Sequence, residues 1–290
     1  MTTLRLGTLR VGGGSGGTGS GTVAVRVDDD AAVETGHADV GELLRDPAWR
    51  ELAAAADGRR HALADLPPTA WGPPVLRPSK IVCVGLNYAN HIREMGRDLP
   101  EHPTLFAKFA EALIGPYDPV VLPAHAGEAV DWEGEVAVVV GAVARRLDEA
   151  AAARTIAGYA VLNDVTMRDY QYRTPQWLQG KTFEATTPFG PWLTVPSEGT
   201  GGLAGGELTT AVDGEAVQRT PVDDMVFGPA ALVAYVSQIV TLSPGDVIAT
   251  GTPGGVGHAR RPARYLRPGQ VLTTSVTGLG ELRNDVVAEA

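Results

Sequence analysis

Asp131, Glu133 and Glu135 stand two residues apart and lead directly into Val136-Ala137-Val138-Val139-Val140. A β-branched apolar run of that length is the pattern of a strand buried on both faces. Side chains alternate along a strand, so the spacing predicts three carboxylates on one side at its mouth. Like charges held that close repel, and burying them without compensation is costly. The nearest basic residues in sequence, Arg145 and Arg146, lie beyond the run. A hard divalent cation taking oxygen ligands is the simplest compensation. The competing reading is a solvated strand end, which any single acidic pair would favour. Repulsion in the ion-free site further predicts that Glu133→Ala leaves stability unchanged or raises it.

Other residues bear on the same chemistry. Asp164 follows an apolar stretch at 156–162 and adds a carboxylate at a second strand end. His91 and Glu94 are three apart, so on a helix they share a face. A carboxylate beside an imidazole fixes its tautomer and raises its basicity, which suits a general base. An ordinary exposed pair is the alternative. Lys181, in WLQGKTF, lies between apolar positions and is either a surface lysine or an electrostatic partner for a developing enolate. Lys108, between Phe106 and Phe109, lines a pocket or packs its stem on apolar surface. Arg168 and Asp169 read as a neighbouring ion pair, and Cys83, inside IVCVG, reads as core. In TGTPGGVG the free amides and the Thr252 hydroxyl suit a carboxylate.

These residues need elements to hold them. Residues 2–11 and 22–27 read as a strand pair, joined by the flexible Gly/Ser/Thr connection 12–21, which lacks a phosphate-loop lysine. Residues 40–56 have helical spacing behind an Asp39 N-cap. Residues 67–78 are proline-rich and read as a linker, with a domain boundary near Val75. Beyond it, strands are expected at 81–85, 136–140 and 156–162, and helices at 148–155 and 229–240. An Asp-Gly hairpin is expected at 208–218, with no chemistry assigned to it, and a closing strand–turn–strand at 268–287. Gly96 and nearby prolines allow the His91 helix to act as a mobile lid.

A chain of 290 residues buries a substantial core, as one large domain or a large one with a small one. A net charge of -10 argues against nucleic acid and anionic membrane surfaces as partners. The single cysteine excludes an intrachain disulfide framework and fits a reducing cytoplasm. No secretory signal and no bilayer-length apolar run is apparent.

Taken together, GLNYANH with Glu94, VDWEGEVAVVVG, GYAVLNDVTMRDYQ, QGKTF, TPFGPW, LSPGDVIATGTPGGVG and LRPGQVLTTSVTGLGELRN resemble the fumarylacetoacetate hydrolase family. They run in the family's order over nearly everything from Lys80 onward. The resemblance implies an α+β, β-rich fold: layered mixed sheets in a roll, with a small N-terminal domain at 1–75, a catalytic domain at 76–290 and a homodimeric assembly. It implies Mg²⁺ or Mn²⁺ on Glu133, Glu135 and Asp164, with Asp131 behind them. It adds His91 and Glu94 as a water-activating pair and Lys181 beside the metal. Thr252, Gly251, Asn87 and Tyr88 are implied around the substrate.

The implied reaction is hydrolysis of a carbon–carbon bond in a β-diketo acid through a metal-stabilised enolate. Isomerisation of a 2-hydroxy-dienoate and decarboxylation of an oxaloacetate-like acid pass through the same kind of enolate and are the alternatives. A non-catalytic metal-binding protein is a further one, disfavoured by the intact residue set. Two departures from the family pattern stand out: Glu184 in KTFE where aspartate is common, and Gly134 where a larger residue is common, expected to loosen the strand.

Overall fold

A computed structural model describes residues 3–12, 21–94, 96, 98–196 and 205–290. Residues 13–20, inside the expected Gly-rich connection, lie outside them. The fold is β-rich, with strands in layered sheets and short helices between them.

The apolar run becomes the fully buried strand Gly134–Val140, near the middle of a large mixed sheet. Its antiparallel neighbours are Ile156–Asn163 and Val247–Ala249. Val136, Val138 and Val140 face an apolar cluster shared with Leu208, Val276 and Leu282. Ala137 and Val139 face the opposite cluster, with Leu6, Leu43 and Trp49. Burial on both faces is why the run is continuously apolar rather than alternating. The sheet continues through Ile81–Gly85 to Thr104–Lys108 on one side. On the other, Thr187–Val195 pairs with the N-terminal strand Leu4–Val11, and Gly21–Val27, Ala31–Glu34 and Arg60–Ala62 follow. The N-terminal residues thus share one sheet with the residues that carry the carboxylates.

A five-stranded sheet packs against this one. It holds the expected hairpin, Glu207–Val212 with Glu215–Pro221, and the strands Val271–Val276 and Gly280–Ala288. Asp213 (φ 52°) and Gly214 (φ 81°) make the hairpin turn, whose left-handed pair suits Asp-Gly.

The expected helix at 40–56 is instead two short ones, Val40–Leu43 and Trp49–Ala54. Pro47 lies between them, and a proline inside a helix removes a hydrogen bond and clashes with the preceding turn. Asp39 caps the first helix by accepting the Glu42 N–H at 2.6 Å. The proline-rich stretch is ordered: Trp71–Gly72 pairs with the strand Leu4–Val11, and Val75 is buried. Among the described residues, no helix is long and apolar enough to cross a membrane.

Candidate active site

Glu135 is the second residue of the central strand, and Glu133 sits just before it. Asp131 belongs to a separate two-residue strand, Val130–Asp131, paired with Thr166–Met167. The chain therefore does not run as one strand from 131 to 135, and the single carboxylate face expected there breaks up. Asp131 turns away, accepting the backbone N–H groups of Gly257 at 2.7 Å and His258 at 2.9 Å. Asp164 takes the third place. Its N–H donates to the Glu133 carbonyl at 2.8 Å, and the Asn163 side chain accepts the Glu133 N–H at 3.0 Å. Those bonds hold Asp164 beside Glu133 at the end of the strand pair.

Carboxylate oxygens of Glu133, Glu135 and Asp164 lie within 4.8 Å of one another, and all three residues are buried. Two of them are neutralised by cations from distant elements. Lys181, ending the helix Leu178–Lys181, bridges Glu133 at 2.6 Å and Asp164 at 2.7 Å. Lys108, ending the strand Thr104–Lys108, donates to the other Asp164 oxygen at 2.6 Å. Arg168 joins Glu133 (2.7 Å) to Asp131 (2.8 Å). Positive and negative groups thus alternate from Lys108 through Asp164, Lys181, Glu133 and Arg168 to Asp131.

Glu135 has no place in that chain. No salt bridge among the described residues includes it, and it accepts the Gly251 N–H at 2.8 Å. Gly251 reaches it at φ 101°, a left-handed conformation that a side chain would strain. Burial pushes the Glu135 carboxyl well up, and the nearby Asp164 and Glu133 charges push it the same way. Burial opposes ionisation of Asp164 too, but Lys108 and Lys181 outweigh it and hold that carboxyl low. Burial likewise works against the Lys181 ammonium, and the Asp164 and Glu133 carboxylates override it. A buried glutamate short of positive charge, beside two other carboxylates and offering only oxygen donors, fits a hard divalent ion such as Mg²⁺ or Mn²⁺.

A cleft of about 120 Å³ opens onto this cluster. His91, Glu133, Arg168, Lys181 and Thr252 supply much of its polar lining, with Gln171 and Tyr172, and Phe106 and Trp177 part of its apolar wall. The two rings pack edge to face at 5.5 Å, and the Lys181 ammonium lies 4.9 Å from the Phe106 ring centre. His91 is on the helix Ala89–Glu94, and its Nδ1 lies 3.1 Å from Glu94. That contact assigns the proton to Nδ1 and leaves Nε2 as the basic nitrogen. The hydrogen bond from His91 holds the Glu94 carboxyl below its usual range, against the effect of burial.

The remaining residues implied around the substrate are placed as follows. Thr252 reaches the cleft, but its hydroxyl donates to the Gly134 carbonyl at 3.0 Å. Gly251 spends its N–H on Glu135. The Asn87 amide is used within the protein, donating to Thr250 and Phe227 carbonyls and accepting the Phe227 N–H. Tyr88 is fully buried, and its hydroxyl has no hydrogen-bond partner among the described residues. The Gly-rich loop does bind carboxylates, but they belong to this chain: Glu135, Glu94 and Asp131.

Lys108, Arg168 and Gln218 carry more of the site than their sequence context suggested. Arg168 pairs with Asp131 and Glu133 rather than with its neighbour Asp169. The two departures do not disturb the cluster. Glu184 is exposed. Gly134 stays in register with Asn163, and a side chain there would collide with the Thr210 hydroxyl, so the glycine permits a close approach rather than loosening the strand. Cys83 is fully buried, and burial pushes its thiol up, as suits a core position.

Comparison with known proteins gives three informative relatives. The family model described as "Fumarylacetoacetate (FAA) hydrolase C-terminal" matches residues 80–287. Oxaloacetate tautomerase Fahd2a, mitochondrial, of Rattus norvegicus is 38% identical over 277 residues, covering 93% of this chain and 85% of that protein. The crystal structure of 5-carboxymethyl-2-hydroxymuconate delta-isomerase from Mycobacterium smegmatis superimposes with a TM-score of 0.77 at 34% identity, covering 99% of both chains. Fumarylacetoacetate hydrolase from psychrophilic Exiguobacterium antarcticum gives 0.84 at 30% identity, covering 99% of this chain and all of that one.

Proposed function

The chain belongs to the fumarylacetoacetate hydrolase family, and we propose that it is an enzyme moving a proton between carbon and oxygen of a small 2-oxo acid: a keto–enol tautomerase or 2-hydroxy-dienoate isomerase. Its relatives are enzymes acting on small organic acids, and a tautomerase and an isomerase among them support this reading over carbon–carbon hydrolysis. The observation that carries it is one cleft with the Glu94-held His91 imidazole and the Lys181 ammonium both on its walls.

Glu133, Glu135 and Asp164 would hold Mg²⁺ or Mn²⁺, which when bound supplies Lewis-acid stabilisation of the charge developing on the 2-oxo oxygen. His91 Nε2 exchanges the proton at carbon 3. As it leaves, the carbon–hydrogen electrons form the carbon–carbon double bond and the carbonyl electrons move to oxygen. That oxygen takes a proton from solvent while the His91 imidazolium returns its own to solvent, leaving no net change in protons. Glu94 orients the ring and balances the imidazolium. Lys181 places a fixed positive charge beside the oxygen-bearing end. Phe106 and Trp177 limit water at the apolar wall. A homodimer is part of the proposal, checked by light scattering.

The second reading is hydrolysis of an acylpyruvate, with the same His91–Glu94 pair activating water. A panel of oxaloacetate, a 2-hydroxy-dienoate and an acylpyruvate, each with Mg²⁺ or Mn²⁺, separates the two. Loss of enol absorbance and deuterium uptake at carbon 3, without bond cleavage, are expected for the first two acids. Release of pyruvate from the acylpyruvate as the dominant activity would install hydrolysis instead. Inactivity on all three would reject both.

A further inference from the structure

Gln218 has no charge and no place in the proposed reaction. Yet it is 2% exposed and lies where the hairpin meets both the carboxylate strand and the Gly-rich loop. Its Oε1 accepts the Gly134 N–H at 3.0 Å. Its Nε2 donates to the Thr252 hydroxyl at 2.8 Å and to the Pro253 carbonyl at 3.0 Å. Reversing the amide would set a donor against an N–H and an acceptor against a carbonyl, so the partners fix its orientation. Thr252 then donates to the Gly134 carbonyl at 3.0 Å, closing a ring of hydrogen bonds. Both backbone polar groups of Gly134, the residue between Glu133 and Glu135, belong to that ring.

We propose that Gln218 is a positioning residue that sets the Glu133–Glu135 backbone and the Thr252 loop against each other, so that the metal carboxylates and the base share one geometry. This rests on the reading of the cleft given above. Two features support the role. Gly134 lacks a side chain where one would run into Thr210 and come within 3.3 Å of Gln218 Oε1, so strand and hairpin are closely approached. The loop that Gln218 grips supplies N–H groups to Glu135, from Gly251 at 2.8 Å, and to Glu94, from Gly255 at 3.3 Å. A shift of that loop moves a metal carboxylate and the partner of His91 together.

Two variants test it: Gln218→Leu, which removes every bond, and Gln218→Glu, which keeps an acceptor for the Gly134 N–H and removes the donors. Circular dichroism checks folding, electron paramagnetic resonance gives the Mn²⁺ dissociation constant, and kcat and KM are read separately. Gln218→Leu is expected to weaken Mn²⁺ binding about tenfold or more. Gln218→Glu, which frees the loop but keeps the Gly134 contact, is expected to weaken Mn²⁺ binding less than Gln218→Leu does and to raise KM about tenfold, because Thr252 loses its donor. A folded Gln218→Leu protein with wild-type Mn²⁺ affinity overturns the proposal. If that variant does not fold, an unchanged KM in Gln218→Glu overturns it. The Mn²⁺ titration involves no reaction, so a wild-type protein inactive on every acid rejects the proposed function and leaves the Mn²⁺ affinities of wild type and both variants to decide this proposal.

Discussion

Glu133 shows how the real surroundings of a residue change its energetics. Repulsion among three carboxylates alone would make Glu133→Ala neutral or stabilising in the ion-free protein. The structure gives Glu133 two cations, Lys181 at 2.6 Å and Arg168 at 2.7 Å, all of them buried. Removing the carboxylate leaves those cations competing for Asp164 and Asp131, and breaking one side of a buried pair costs about 3–5 kcal/mol. The expected outcome is therefore a loss of stability of roughly that size, with weaker Mn²⁺ binding as well. Urea unfolding without added metal measures the first and calorimetric titration the second. Unchanged stability would mean that repulsion is the larger effect after all. The difference between the two expectations marks where sequence reading stops. Strand-end position makes Glu133, Glu135 and Asp164 visible as carboxylates, but spacing groups Asp131 with the two glutamates, and it is the family resemblance that implies the other three as a set. Their counter-ions are not visible: Lys108 is 56 residues from Asp164, and Lys181 is 48 from Glu133. Spacing carries no information about contacts made across a sheet. Arg168 was assigned to its neighbour Asp169 for the same reason, and Gln218, 84 residues from Gly134, was not assigned at all.

At the level of elements, the helix Ala89–Glu94 is tied at several points. Asn90 accepts the Gly254 N–H at 3.2 Å and donates to Thr220 at 3.0 Å, and its own N–H donates to Asp224 at 2.9 Å. Glu94 adds the Gly255 N–H and the His91 ring. This helix is held by the hairpin and the Gly-rich loop, which the expectation of a mobile lid did not foresee. Flanking glycines and prolines were visible in the sequence; the bonds that restrain them were not. The Glu94 carboxyl is held below its usual range chiefly by the His91 hydrogen bond. A carboxyl whose folded value is depressed adds stability above its unfolded titration range, and that contribution disappears as pH falls through the folded value. Wild type should therefore melt above Glu94→Gln at neutral pH by on the order of 1–2 °C, the side chain being 35% exposed and screened by solvent. The gap should hold steady as pH falls to about 5 and close on further acidification. Melting curves taken from pH 7 to pH 3 check it. A gap that widens in acid would reverse the assigned sign.

Across the whole molecule, the question is whether the first 75 residues form a unit of their own. The proline-rich stretch at 67–78 suggests so, because such segments often link domains. The sheet argues for a single cooperative body. Leu4 pairs with Val195 and Leu6 with Leu193, so the N-terminal strand continues the sheet that carries the carboxylates. Leu6, Leu43 and Trp49 pack in one buried cluster with Ala137 and Val139, which lie on the strand of Glu135. Arg10 reaches Asp118 at 2.8 Å. Deleting residues 1–75 would leave the strand Thr187–Val195 with an unpaired edge and expose one face of the central strand. Exposed edges and large apolar patches promote association. The shortened chain is therefore expected to aggregate and to bind Mn²⁺ poorly, since the face supporting Glu135 has lost its cover. The full chain is expected to unfold in urea in one transition, with tryptophan fluorescence and far-ultraviolet circular dichroism superimposing. Trp49 and Trp71 report on the N-terminal part and Trp132 on the carboxylate cluster, so two independent bodies would separate the probes. A soluble shortened chain binding Mn²⁺ like the whole protein would favour the boundary near Val75 as a true domain division.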